Sequence, residues 1–201
     1  MKNTSIAEKV RAKVKRMRKA QPFTLERFCS LGPSNQHAVR LAIARMVKQG
    51  DLERVYRGVY MRPKQSPYVG LIRANAIQVA RVLAKKYGHI LQVHGAEAIR
   101  RLGLSTQMQV TPVYYTSGSS SVIRVGKSSV RLQHKPATWF LHANSKLGLI
   151  VSALLYLGPA AHTVENISTI GRHLNETERQ LLKSSPLPKW IYAFVDALDP
   201  L

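Results

Sequence analysis

Gln36 and Arg40 stand four residues apart, with Ser34, Asn35 and His37 beside them. On a helix that spacing places Gln36 and Arg40 on one face. Arg can grip guanine O6 and N7 as a fork, and Asn or Gln can do the same with adenine N6 and N7. These are side chains that read base edges in a major groove. An ordinary solvated face uses the same residue types, so the helix alone leaves both readings open. A second basic group, Arg54, Arg57 and Arg62, follows within one short stretch. Guanidinium groups on a hairpin can lie along phosphates or enter a minor groove.

The surrounding pattern supplies elements to carry these residues. Val39, Ala42, Ile43, Met46 and Val47 recur at helical spacing, so one face must be buried. Ser34 is the expected N-cap and Gly50 the stop. Asp51 to Tyr56, the turn Arg57-Gly58 and Val59 to Met61 then read as a hairpin. Upstream, Pro22 to Thr24 is expected as a short strand pairing with that hairpin, and Thr24 as the cap of a brief helix, Leu25 to Ser30. A first helix over Ser5 to Lys19 has Ile6, Val10, Val14 and Met17 on one side. Helix, strand, helix, turn, helix and wing is the order of a winged helix-turn-helix, here over residues 1–64.

The chain of 201 residues carries 31 Lys and Arg against 10 Asp and Glu, a net charge of +21 and a pI near 10.7. A polyanionic partner follows from that balance. Residues 1–64 hold 16 cations and 4 acids, residues 65–201 hold 15 and 6. The second part reads either as more surface for DNA or as a basic face that only aids solubility. Pro63 to Pro67 breaks the periodic pattern and is the expected linker. Beyond it, residues 68–201 suggest helices over Asn75 to Tyr87 and Ala96 to Leu102. Strands are expected over Gly88 to Gly95, Val110 to Thr116, Val122 to Val125 and Val130 to His134. The tail reads as helices from Ser145, Val164, Glu176 and Pro188, with Asn175 opening a capping signature. The fold class is therefore α+β: a winged helix-turn-helix, then a mixed α/β domain with a small antiparallel sheet and a helical tail.

No apolar run reaches membrane-spanning length. The basic N-terminus lacks the apolar block of a signal peptide, and its likeness to a transit peptide is discounted because that helix belongs to the winged domain. The single Cys29 excludes an intramolecular disulfide and a multi-cysteine zinc site. A reducing cytoplasm is the expected compartment.

VHGAEAIRRLGLSTQMQVTPVYYTSGSS, the strand pair around IRVGKSSVRLQH and the segment GVYMRPK together resemble the AbiE-type antitoxin family, the regulator partners of type IV toxin–antitoxin loci. The likeness covers about residues 1–140. It implies an N-terminal domain that represses the operon's own promoter, with two copies on inverted repeats. It also implies a C-terminal domain that neutralises a cognate nucleotidyltransferase-like toxin, without requiring a stable complex. Gly103 to Gln107, the GLSTQ segment, is a family marker without assigned chemistry.

An enzyme is the weaker reading. The ten acids are scattered, and the pairs His89 with His94 and His162 with His173 lack the i, i+4 spacing of helical metal ligands. Ser117 to Ser121 lacks a nucleophile-elbow pattern, and no glycine lies in a phosphate-cradling motif. No cofactor or metal is expected. Tyr114-Tyr115 and Trp139-Phe140 near Arg124, Lys127, Arg131 and Lys135 support an alternative, an RNA-binding sheet. Adjacent strand residues face opposite ways, so one of each pair is expected in the core. Arg100, Arg101, Arg124, Lys127 and Arg131 are the candidate nucleic-acid contacts of the second domain. An interaction-only adaptor is the remaining alternative.

Overall fold

The computed structural model describes residues 5–198. About half of them are helical, and three small sheets complete an α+β chain. The chain divides into two compact units. One takes the residues up to Gly88 together with Ile123–Ser129, the other His89–Val122 and Val130–Leu201.

In the first unit, helix α1 (Ile6–Lys15) starts on a capping box in which Ser5 and Glu8 satisfy each other's amides. It ends four residues short of the expected Lys19. Arg62 explains the stop, because its guanidinium donates to the carbonyls of Lys15 and Met17 at 2.7 Å each and satisfies the helix end. Strand β1 (Phe23–Thr24) leads into a 3-10 helix, Leu25–Leu31. Gly32, at φ +92°, turns the chain into a second 3-10 turn, Pro33–Asn35, and then into helix α2 (Gln36–Lys48).

Ser34 is therefore not the N-cap. Asn35 holds the cap position with no side-chain cap, and its amide donates instead to the Leu31 carbonyl. Entry through a 3-10 turn leaves Asn35 at φ −94° and ψ 1°, outside the extended conformation from which a capping side chain reaches forward. Thr24 likewise makes no side-chain cap on its helix.

Strands β2 (Glu53–Tyr56) and β3 (Val59–Met61) form an antiparallel hairpin, with Gly58 at φ +74° in its turn and a register shift between Arg54 and Tyr56. β1 adds to β3 through Phe23 opposite Tyr60 and Thr24 opposite Val59, as expected. Val10, Val14, Phe23, Phe28, Val39, Ile43 and Met46 close one core beneath these elements. Each such side chain contributes about 1.5–3 kcal/mol when fully buried.

The stretch expected as a linker is structured. β4 (Lys64–Ser66) pairs with β5 (Gly70–Ile72) in a second antiparallel hairpin. Helix α3 (Ala76–Tyr87) follows, with a capping box on Asn75 and Gln78 and a left-handed stop at Gly88. The division between units falls after that glycine rather than at residue 64.

The second unit begins with β6 (Leu91–Val93) and α4 (Gly95–Arg101), then β7 (Val113–Thr116). β8 (Ser121–Val125) and β9 (Ser128–His134) form a hairpin whose tip is counted with the first unit. There Ser128 Oγ accepts from the Ala76 amide at the start of α3. The sheet order is β6-β7-β9-β8, with β6 antiparallel to β7 but β7 parallel to β9. The sheet is mixed rather than wholly antiparallel, because the chain leaves β7 for the distant β8 edge and returns beside it.

Helix α5 (Lys146–Leu157) is capped by Ser145 and is apolar nearly all round. Such a helix belongs in a core, and Ile150, Val151, Ala153 and Leu154 are fully buried. α6 (Val164–Gly171), α7 (Glu176–Ser184) and α8 (Lys189–Asp196) pack around it through Ile170, Leu182, Ile191 and Phe194. Asn175 and Glu178 form the expected capping box. No helix among the described residues is long and apolar enough to cross a membrane.

Candidate nucleic-acid interface

The apolar stripe of α2 faces the first core, so its opposite side is turned outward. Gln36, His37 and Arg40 are exposed on that side, as is Ser34 in the preceding turn. Asn35 is half-buried and bound to Leu31, which removes it from the outward group. The fold brings this face to the β2–β3 turn. Gln36, Arg40 and Gly58 line one cleft of about 230 Å³ with Phe28, Cys29 and Lys86.

Arg54 and Arg57 are exposed on the hairpin itself. Arg62 is half-buried and holds the end of α1, so it positions that helix. At the cleft rim Lys86 pairs with Glu26 at 3.2 Å. Burial alone would raise the Glu26 carboxyl, but a hydrogen bond from Thr24 and the Lys86 ammonium leave it below the usual carboxylate range.

Arg124 and Lys127, placed in the second domain from the sequence, lie in the hairpin tip that belongs to the first unit, and both are exposed. With them the first unit holds 22 Lys and Arg against 4 Asp and Glu. The second unit holds 9 against 6. Sequence reasoning missed this concentration because it cut the chain at residue 64.

The candidate cations of the second unit are differently engaged. Arg100 donates to both oxygens of Glu97 at 2.7 and 2.8 Å, and Arg101 donates to the same carboxylate at 2.8 Å. Chiefly through Arg100, these bonds hold the Glu97 carboxyl down at about 2. Arg131 is exposed on β9.

Each aromatic pair splits, Tyr114–Tyr115 by strand alternation as expected but Trp139–Phe140 on a 3-10 turn, Ala137–Phe140, rather than on a strand. Tyr115 and Phe140 are buried, while Tyr114 and Trp139 are half-buried. Lys135 Nζ lies 4.2 Å from the Trp139 ring centre and 5.4 Å from that of Tyr115. Burial pushes the Tyr115 hydroxyl up to about 12, against a hydrogen bond from the Gly95 amide. His94 packs against Tyr115, tilted at 4.7 Å between ring centres, and edge-on against Tyr156 at 5.3 Å. Its Nδ1 caps α4 by accepting from the Ala96 amide, and burial lowers its pKa, helped by Lys135. These rings pack on one another, with Trp139 edge-on to Tyr115 at 4.9 Å between ring centres.

The geometry also accounts for two sequence signatures. A Cβ on Gly95 would come within 2.0 Å of the Tyr156 Cβ, so the glycine lets α4 approach α5. In the GLSTQ segment, Gly103 takes φ +79° and the Leu104 amide returns to the Ile99 carbonyl. Leu104 then packs on the core, which is the helix-stopping arrangement of a Schellman turn. Among the described residues, no group of three or more His, Cys, Asp or Glu is gathered to hold a metal ion.

Residues 9–182 match the model of a family of unknown function, DUF6088. The chain belongs to that family. No curated protein and no solved structure matches it. The DUF6088 chain is thus read from its own geometry, in which the outward face of α2 and the basic hairpin share one cleft.

Proposed function

We propose that this protein binds duplex DNA through a winged helix-turn-helix in its first unit and represses its own promoter. α2 is the recognition helix and β2–β3 the wing, in the element order such domains use. The observation that carries this reading is the meeting of Gln36, Arg40 and the hairpin turn at one cleft, in a unit with 22 cations and 4 carboxylates. Gln36 and Arg40 contact base edges, with His37 and Ser34 beside them, while Arg54, Arg57, Arg124 and Lys127 engage phosphates. Two copies bind inverted repeats, and no cofactor or metal takes part.

The resemblance to AbiE-type antitoxins extends the proposal. In that reading the protein is the antitoxin of a type IV locus, its second unit neutralises a nucleotidyltransferase-like toxin, and the pair acts in phage defence within the cytoplasm. Its role is regulatory, and it catalyses no reaction.

A gel-shift titration with DNA from upstream of its own coding sequence tests the first part. The protein should prefer that duplex over a scrambled one. Arg40→Ala and Gln36→Ala should each erase about 1–3 kcal/mol of the preference. Equal affinity for both duplexes would defeat sequence-specific repression. For the second part, a nucleotidyltransferase encoded beside the gene is co-expressed with the full chain or its Arg40→Ala/Arg54→Ala/Arg57→Ala variant. Protection by both, with repression lost in the variant, is the expected outcome. Failure of the unaltered chain to protect would remove the antitoxin role.

A further inference from the structure

The hairpin β4–β5 has no part in the interface so far described, yet its tip is the most exposed apolar feature of the first unit. Lys64 pairs with Ile72, Gln65 with Leu71 and Ser66 with Gly70, so Pro67, Tyr68 and Val69 form the loop. Tyr68 is 94% exposed and Val69 73%. The loop is braced rather than slack. Pro67 fixes its own φ, Ser66 Oγ accepts from the Tyr68 amide at 3.3 Å, and Gly70 takes φ +67° to close the turn. A rigid loop presents two large apolar side chains at little cost in conformational entropy.

The charge around the tip limits what it can meet. No Asp or Glu lies within the hairpin or its flanks in sequence from residue 54 to residue 96; of the eight Lys and Arg in that stretch, Arg73 and Lys86 pair with Glu53 and Glu26 from outside it. Lys64 begins the hairpin and Arg73 follows it, Arg73 being paired to Glu53 at 2.6 Å. A second copy would bring the same cationic surface against itself and be repelled. A lipid surface needs a broad apolar face, and this tip offers two side chains. Duplex DNA supplies both complements, phosphates for the cations and a stack of bases for the tyrosine ring.

We infer that the Tyr68–Val69 tip is a wedge that enters a base step from the minor groove and bends the DNA held by α2. This rests on the DNA-binding reading above. Proteins that insert apolar wedges in this way kink duplexes by about 20–90°, most easily at pyrimidine–purine steps. The hairpin then adds specificity through deformability, at base pairs that α2 does not reach.

The test uses the full chain and a duplex of about 20 bp, roughly 70 Å end to end, from the DNA upstream of its coding sequence, with a donor and an acceptor dye at its ends. The unaltered protein should draw the ends together by a bend of about 20–90°. Tyr68→Ser/Val69→Ser should keep only the part of the preference that α2 reads directly, bind the upstream duplex about tenfold more weakly and leave the DNA straight. Tyr68→Phe should bend as the original does, since the ring and not the hydroxyl makes the wedge. Binding without bending, or equal bending by the double-serine variant, would overturn the wedge alone. Absence of binding to any duplex would defeat the DNA reading as well. A double-serine variant that loses self-association in sedimentation, or loses binding to anionic vesicles, while still bending DNA would reassign the tip to a second copy or to lipid.

Discussion

In the unit built around α2, twenty-two Lys and Arg meet four carboxylates, whereas the unit around α5 has nine against six. Three of the six carboxylates of the second unit pair locally: Glu97 with Arg100 and Arg101, Glu178 with Lys146, Asp196 with Lys183. Four carboxylates cannot neutralise twenty-two cations whatever their pairing. Like-charge repulsion of that size opposes folding, and a polyanion relieves it. The contrast teaches that most of the overall charge of +21 sits in one unit: 22 less 4 leaves +18 there, and 9 less 6 leaves +3 in the other.

Removing matched charge from each unit would break or sharpen the comparison most. Arg40→Ala/Arg54→Ala/Arg57→Ala should lower affinity for the upstream duplex roughly hundredfold and flatten the slope of log affinity against log salt by about 2 to 3. Arg131→Ala/Arg172→Ala/Lys189→Ala changes the net charge equally on exposed positions of the second unit. It should leave both quantities nearly unaltered. Parallel salt titrations of the two variants decide this, and equal losses would show that DNA is held by total charge alone.

Packing distinguishes the units at their glycines. Gly95→Ala drives a Cβ to within 2.0 Å of the Tyr156 Cβ, the rigid root of that side chain, so no rotamer change relieves it. A loss of about 3 kcal/mol is expected in denaturant unfolding. Gly58→Ala meets no atom within 4 Å and pays only for φ +74° in the hairpin turn, about 1–2 kcal/mol. A larger loss at Gly58 than at Gly95 would contradict the close approach of α4 and α5.

The smallest effect concerns Glu97. Its carboxyl is held at about 2 in the folded protein against an ordinary value of 4.5. A depressed pKa gives stability that is present above pH 4.5 and lost as pH falls from there towards 2. Its partners are substantially exposed, so screening limits the contribution to about 1 kcal/mol or less. Glu97→Gln should remove that part of the acid slope while leaving stability between pH 6 and 8 within about 1 kcal/mol. An unchanged acid slope would show that the Arg100 and Arg101 contacts are energetically idle.

Much of the first unit was legible because its signals are local. The stripe Val39, Ala42, Ile43 and Met46 and the hairpin turn at Gly58 follow from neighbours in sequence, whereas the pairing of Phe23–Thr24 with Val59–Tyr60 was expected from the element order of the motif. Pro63 to Pro67 misled for the same reason. Two prolines and small polar residues look like a linker, yet Lys64 to Ser66 finds its partner only six residues on, in Gly70 to Ile72. The Ser34 cap failed because a 3-10 turn and a capped helix start draw on the same residue types.

The sequence by itself determined the excess of positive charge, the capping box at Asn175 and the outward polar face of α2. Those depend on residue type and on neighbours within a few positions. Only the tertiary structure decided that Arg62 holds the end of α1, that Arg100 and Arg101 share Glu97, and that Arg124 and Lys127 belong with α3 rather than α5. It also decided that β9 lies parallel to β7. Arg62 lies 47 residues from its acceptor on Lys15, and Ser128 lies 52 from Ala76. Contacts at such separations are set by how whole elements pack, because closing a long loop costs little more entropy than closing a short one and leaves no trace in the local pattern.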